Sequence, residues 1–295
     1  MKIIIDKNAD KLTIKKLLKD KMKLSSRLIK HLKKYNDGII LNGAHAHVTS
    51  VLGVNDELIL DFSDREEDVN EYLERTFLPL DIIYEDENIT VVNKSAFMPT
   101  HQSHNHYSDT LANALAYRYS NRPYVFRAIN RLDKNTSGVV ITANNKLYAE
   151  ILASKLRNGK FKKEYIAIVE GRMIGGGVID APIARMGESI IEREVRPDGE
   201  YAYTEYNVLL SCDDISLLRL SPITGRTHQL RVHLSYIGHP ILGDSMYGSA
   251  SELIDRQALH ASRISVADIG EYIAPIPDDM MKIIRRYFSN AQDLL

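Results

Sequence analysis

Four runs of β-branched and aromatic residues constrain this chain most: GVVITA at 138–143, KEYIAIVEG at 163–171, AYTEYNVLL at 202–210 and ISLLRLS at 215–221. Each is bounded by turn residues, as strands are. Two shorter runs, DIIYED and ITVVNK, precede them at 81–86 and 89–94. Apolar residues recur at helical spacing in TLANALAYRYS, KLYAEILASKLRNG and THQLRVHLSYIG. Helices thus fill some gaps between strands and not others, which argues against the strict alternation of a doubly wound fold. The pattern predicts an α+β domain built on an extended mixed or antiparallel sheet with flanking helices.

The chain has 295 residues, 44% of them hydrophobic, enough for one large domain and a small one. No stretch approaches 18 consecutive apolar residues, and the start, MKIIIDKNADKLTIKK, lacks the apolar run and cleavage site of a signal peptide. A soluble, cytoplasmic, monomeric protein without membrane contact is expected. Cys212 is the single cysteine, so an intramolecular disulfide framework and CxxC-type metal or redox sites are excluded.

A net charge of −1 hides a strong asymmetry. Residues 1–35 hold twelve Lys/Arg against three Asp/Glu, a local +9, and the balance reverses between 54 and 90. Two readings stand: a solvated helix face beside an acidic connector, or a basic module aimed at phosphates. Within the basic part, Ile14, Leu17 and Leu18 follow the N-cap candidate Thr13. Leu28, Ile29 and Leu32 follow Ser25 or Ser26. Then NDG breaks the second helix, IILNG reads as a strand into a turn, and NDELIL as another strand. This order, with LSSRLIKHLKK ahead of IILNG, resembles the S4 RNA-binding domain. The expected organisation is a small S4-like α/β module at 1–60, an acidic linker at 61–78 and a catalytic domain at 79–295.

The stretch INRLDKNTSGVVITA places Arg131 two residues before Asp133. Alone, Asp133 is explained equally well as a turn residue whose carboxylate bonds the backbone of Asn135 or Thr136. Further segments change the balance. NRLDKNTSG resembles the catalytic motif of the RluA-type family of RNA pseudouridine synthases, usually His-Arg-Leu-Asp-x-x-Thr-Ser-Gly. NKSAFMPTH resembles that family's Asn-Lys-Pro-Ala-Gly segment, KKEYIAIVEG its Lys-x-Tyr strand, and TGRTHQLRVHLSYIGHPILGDSMYG its C-terminal signature. The similarity spans about residues 79–263, and the pseudouridine synthase fold is what it implies. Two departures stand out: Asn130 replaces the usual His, and Ser95 to Phe97 lack the usual Pro and Gly.

The resemblance implies isomerisation of uridine to pseudouridine in structured RNA, ribosomal or transfer, without cofactor or metal. Such chemistry needs an ionised carboxylate near the ribose, as nucleophile on C1′ or as base toward the 2′ hydrogen. Asp133 is the matching residue. Arg231 matches the position of a fixed cation that would keep it ionised, and Tyr165 that of a ring stacked on the uracil. The target base must leave its stack, and Arg131 is the candidate to fill the space. Arg226 and His228 are candidate phosphate contacts, while Thr227 fits a helix cap. The histidines of HQSHNHYSD (His101, His104, His106) are read as a polar loop rather than a metal site. A noncatalytic S4-type RNA-binding protein on a degenerate synthase fold is the alternative, and joint retention of Asp133, Tyr165 and Arg231 speaks against it.

Overall fold

The computed structural model describes residues 1–288. An N-terminal module comprises β1 (Lys2–Ile4), α1 (Ile14–Lys16, continued by a π-helical turn Leu17–Lys21), α2 (Ser26–Lys34), β2 (Ile39–Leu41), β3 (Ala44–His45) and β4 (Glu57–Leu60). Both helices begin at a hydroxyl residue. Thr13 Oγ1 accepts from Lys16 N and Ser25 Oγ from Leu28 N, which satisfies amides that a first helical turn leaves without partners. The strands pair antiparallel in the order β1-β4-β2-β3. Ile14, Leu18, Leu28 and Leu32 pack on Ile39, Leu58 and Leu60 to form a core separate from that of the rest of the chain.

The second body contains β5 (Asp81–Glu85), β6 (Ile89–Lys94), α3 (Leu111–Arg118), β7 (Ser137–Ala143), α4 (Lys146–Arg157), β8 (Phe161–Glu170), β9 (Gly176–Asp180), β10 (Ile183–Arg185), β11 (Arg193–Val195), β12 (Tyr203–Ser211), β13 (Ile215–Pro222), α5 (Gln229–Tyr236), β14 (Leu259–Val266), β15 (Gly270–Ile273) and α6 (Asp278–Tyr287). Among the described residues its main sheet runs β5-β6-β7-β14-β8-β13-β12-β9, with β15 added to β14. Only β7 and β14 are parallel, so the sheet is mixed, as expected. Tyr165 to Val169 of β8 are buried without interruption, as in a central strand covered on both faces. Leu230 and Leu234 of α5 and Met280, Ile283 and Ile284 of α6 join Tyr165, Leu217 and Leu259 in the largest buried cluster.

Helix α4 joins the two bodies. Its Leu147, Tyr148 and Ile151 pack into the N-terminal core, while Leu152 and Leu156 pack with Val139, Ile141 and Phe161 of the sheet. The segment read as a linker is packed at its start. Phe62 belongs to the N-terminal core, and the fully buried carboxylate of Asp64 takes Arg127 at 2.5 Å, Lys146 at 3.2 Å and the amide of Val125 at 3.0 Å. Lys146 also reaches Asp68 at 2.6 Å, and Ser25 donates to Glu150 of α4 through its backbone N (2.6 Å) and its hydroxyl. No helix among the described residues is long and apolar enough to cross a membrane.

Gly138, the second residue of β7, stands at φ +116°, a conformation that L side chains rarely adopt. A Cβ there would lie 2.2 Å from the carbonyl oxygen of Ala261 in β14. This glycine lets the two parallel strands meet directly behind the Asp133 loop. Gly138→Ala is expected to cost at least about 2 kcal/mol of stability, from strain and overpacking together, read as a lowered midpoint in urea unfolding.

Candidate active site

The loop carrying Asp133 is held residue by residue through its backbone and small polar side chains. Asn130 Nδ2 donates to Val139 O, and its Oδ1 accepts from Ile141 N, both at 2.9 Å, closing the loop onto β7. Thr100 Oγ1 donates to Leu132 O at 2.8 Å and accepts from Leu132 N at 3.2 Å. Lys94 Nζ donates to Lys134 O, Arg256 Nη1 to Asn135 O and Gln257 Nε2 to Thr136 Oγ1, each at 3.2 Å. Ser137 Oγ lies 2.9 Å from His260 Nδ1. The side chains of Arg131 and Asp133 are left free of these clamps. Leu132 between them is buried while Arg131 is exposed and Asp133 half-buried.

The carboxylate of Asp133 does not cap its own turn. Thr136 N donates to the backbone oxygen of Asp133, and Oδ2 instead accepts from Arg231 Nη1 at 3.3 Å. The same guanidinium grips Asp244: Nε donates to Oδ2 at 2.6 Å and Nη2 to Oδ1 at 2.8 Å, a bidentate pair. Burial pulls the Arg231 pKa down, but Asp244 and then Asp133 more than reverse this and leave it raised. Asp244 retains 1% of its side-chain exposure and Asp133 30%, so a ligand can reach one carboxylate and not the other. Asp244 Oδ1 is fixed further by the amides of Met246 and Tyr247, and the Tyr247 ring lies 5.0 Å from the guanidinium carbon.

Lys94 supplies a second cation. It is almost wholly buried, and three carbonyls (Ser95, Met98 and Lys134) receive its ammonium. Burial draws its pKa to about 7, against the pull of the Asp133 charge.

Tyr165 is buried in β8. Burial first, then the negative charge of Asp133, raises its pKa, which keeps the phenol protonated beside the carboxylate. His228 stands at φ +57° immediately before α5, with Nδ1 2.8 Å from the Tyr247 hydroxyl and Nε2 3.9 Å from Asp133 Oδ2. Burial lowers its pKa more than Asp133 raises it. His228, not Thr227, occupies the N-cap of α5, and no side chain caps that end. Arg226 lies apart from the cluster: its guanidinium engages Glu200 and the Tyr201 carbonyl. The three histidines have different surroundings. His101 packs edge-on to Phe126, His106 joins Asp109 and Lys134 Nζ, and His104 is exposed.

Asp133, Tyr165, Arg231 and His228 thus converge, and Arg131 flanks them. Sequence reading left out Asp244, Tyr247 and Lys94 as site residues. The signal was present, since Asp244 and Tyr247 lie within GDSMYG, but nothing in a string of residues ties an aspartate to an arginine thirteen positions earlier. Chemically, the cleft offers a carboxylate under a fixed guanidinium, beside a phenol that burial keeps protonated and an imidazole whose pKa burial lowers.

A family model described as RNA pseudouridylate synthase matches residues 88–236. An uncharacterized RNA pseudouridine synthase of Bacillus subtilis (strain 168), YjbO, is 40% identical over 270 residues, covering 89% of this chain and 95% of its own. Ribosomal large subunit pseudouridine synthase D of Vibrio cholerae is 37% identical over 227 residues, covering 70% of each chain. Among solved structures, human RNA pseudouridylate synthase domain containing 1 superposes with a TM-score of 0.58 at 29% identity, covering 68% of this chain and 84% of its own.

Because Asp244 and Arg231 are buried together, Asp244→Ala would leave a guanidinium without its bidentate partner. A loss of about 3–5 kcal/mol is expected in chemical denaturation.

Proposed function

The chain belongs to the RluA-type family of RNA pseudouridine synthases, isomerases that convert uridine to pseudouridine in RNA, and on that premise we propose that Asp133 is its catalytic carboxylate. The observation that carries this reading is the Arg231 bridge, which joins a sealed carboxylate, Asp244, to an open one, Asp133. In the reaction the N1–C1′ bond breaks, the base turns, C5 joins C1′, and the C5 hydrogen passes to solvent while N1 takes up a proton. Asp133 acts at the sugar, on C1′ or on the 2′ hydrogen, and Arg231 stabilises its charge. Tyr165 supports the uracil face. Arg131 occupies the place the flipped nucleotide leaves. His228 and Arg226 hold the RNA backbone, Arg226 after exchanging Glu200 for phosphate.

The substrate we assign is large-subunit ribosomal RNA in the cytoplasm, in line with the name of the Vibrio cholerae relative. The N-terminal module acts as an S4-like RNA arm. Support comes from its basic residues: Lys15, Lys16, Lys19, Lys21, Lys23, Arg27, Lys30 and Lys33 are exposed and form no ion pair among the described residues, whereas Lys2 and Lys34 are paired with Glu57 and Glu67. Most of the basic charge is therefore available to phosphates.

Asp133→Asn preserves the shape and removes the charge. Tritium release from RNA carrying C5-labelled uridine should fall to background while RNA affinity stays within a few fold, and substantial turnover would refute the role.

For the arm, Gln replacement of Lys15, Lys16, Lys19 and Lys30 leaves the packed core untouched. It should weaken RNA binding and flatten the salt dependence by roughly 0.7 in log–log slope for each single-strand phosphate that the arm no longer neutralises. Dissociation constants across a salt series check it; an unchanged slope would favour a merely solvated face.

A further inference from the structure

Phe97 stands in the turn after β6 at φ +66°, in the left-handed region that favours glycine, and the residue is 55% exposed. Among the described residues the ring joins no buried cluster and meets no other aromatic ring. More than half of the residue is left to solvent, on a backbone conformation that L side chains rarely adopt. The turn is nevertheless held firmly, because Lys94 Nζ donates to the carbonyls of Ser95 at 2.8 Å and Met98 at 2.7 Å, on either side of Phe97.

Its position is defined by two ties to the Asp133 loop. Three residues before Phe97, Lys94 is bonded to Lys134 O; three residues after it, Thr100 is bonded to Leu132 O. The ties meet the loop one residue to each side of Asp133. Phe97 thus belongs to the segment that runs beside the carboxylate, and the facing loop presents two exposed cations, Arg131 and Lys134. An open aromatic face next to exposed cations is the combination that binds single-stranded RNA, the ring taking a base and the cations the backbone.

We propose that Phe97 is a base-stacking residue that receives a nucleobase neighbouring the target uridine and so contributes to the choice of RNA strand. This rests on the RNA-modifying function proposed above. Strain in the turn keeps the ring outside the protein core, where a base can cover it.

The chain contains no tryptophan, so Phe97→Trp installs a single indole reporter at this position. The full-length protein is titrated with an unmodified large-subunit ribosomal RNA transcript and, separately, with a uridine-rich single-stranded oligoribonucleotide. Binding is followed independently by filter retention. Stacking predicts saturable quenching of the indole emission that tracks retention. It also predicts that Phe97→Gly weakens RNA binding roughly tenfold while its Tm equals or exceeds that of the wild type, because glycine relaxes the turn. Turnover at saturating RNA should stay within about twofold, and Phe97→Tyr should bind as the wild type does. A purely structural residue would move Tm and affinity downward together. Unchanged emission during demonstrated RNA binding, or wild-type affinity in Phe97→Gly, overturns the proposal. Tritium release by the wild-type protein tests the synthase reading separately: binding and quenching without release would refute that reading and leave the stacking assignment standing. If the wild type retains neither RNA, both readings fall.

Discussion

A guanidinium removed from water must find anionic partners for its donors, and Arg231 finds two, of opposite accessibility. Asp244 takes Nε and Nη2 in the interior, and the remaining nitrogen, Nη1, points to Asp133 at the cleft. The inner pair holds the arginine in one geometry, so the outer carboxylate meets a cation already oriented. Much of the surrounding structure serves this arrangement. The left-handed His228 starts α5, from which Arg231 projects inward, and Asp244 follows Gly243, which stands at φ +76° and where a Cβ would lie 2.4 Å from the Arg256 carbonyl oxygen.

The rigidity of the Asp133 loop follows from the same economy of unsatisfied groups. Residues 130, 132, 134, 135, 136 and 137 each have a named partner, and those partners come from three places in the chain: the end of β6 with the segment after it, the residues leading into and starting β14, and β7 itself. Arg256 extends the network to the C-terminal helix, since its Nε and Nη2 grip Asp279 of α6. On such a loop the position of the Asp133 carboxylate is set by the fold.

The acidic stretch that follows the basic module does not simply neutralise it. Asp64 and Asp68 turn to Arg127 and Lys146 of the second body, and Glu67 takes Lys34 alone from the lysine-rich face. These pairs, with Leu147 inserted in the N-terminal core, dock the module against α4 while its outer lysines remain open. Removing the module would expose the apolar face of α4, which makes the two bodies interdependent for packing although each has its own sheet.

Local chemistry in the sequence determined a good part of this. The hydroxyl caps at Thr13 and Ser25, the strands at β5, β6, β7, β8, β12 and β13, and the helices α3, α4 and α5 follow from period, turn residues and capping, all of which act within a few positions. Asp133, Tyr165 and Arg231 could be named as candidates because the motifs that carry them are contiguous. Tertiary structure alone decided which of the other charges belong with them. Arg226, five residues from Arg231, turns to Glu200, whereas Asp244, thirteen residues away, enters the site. It also inserted β14 between β7 and β8, and made Asn130 a backbone clamp and Phe97 an exposed ring on a strained turn. The physical reason is that an ion pair or a strand neighbour is selected by burial and by the approach of segments a hundred residues apart. Asp133 and Arg231, separated by 98 positions, meet only once the sheet has brought their segments together.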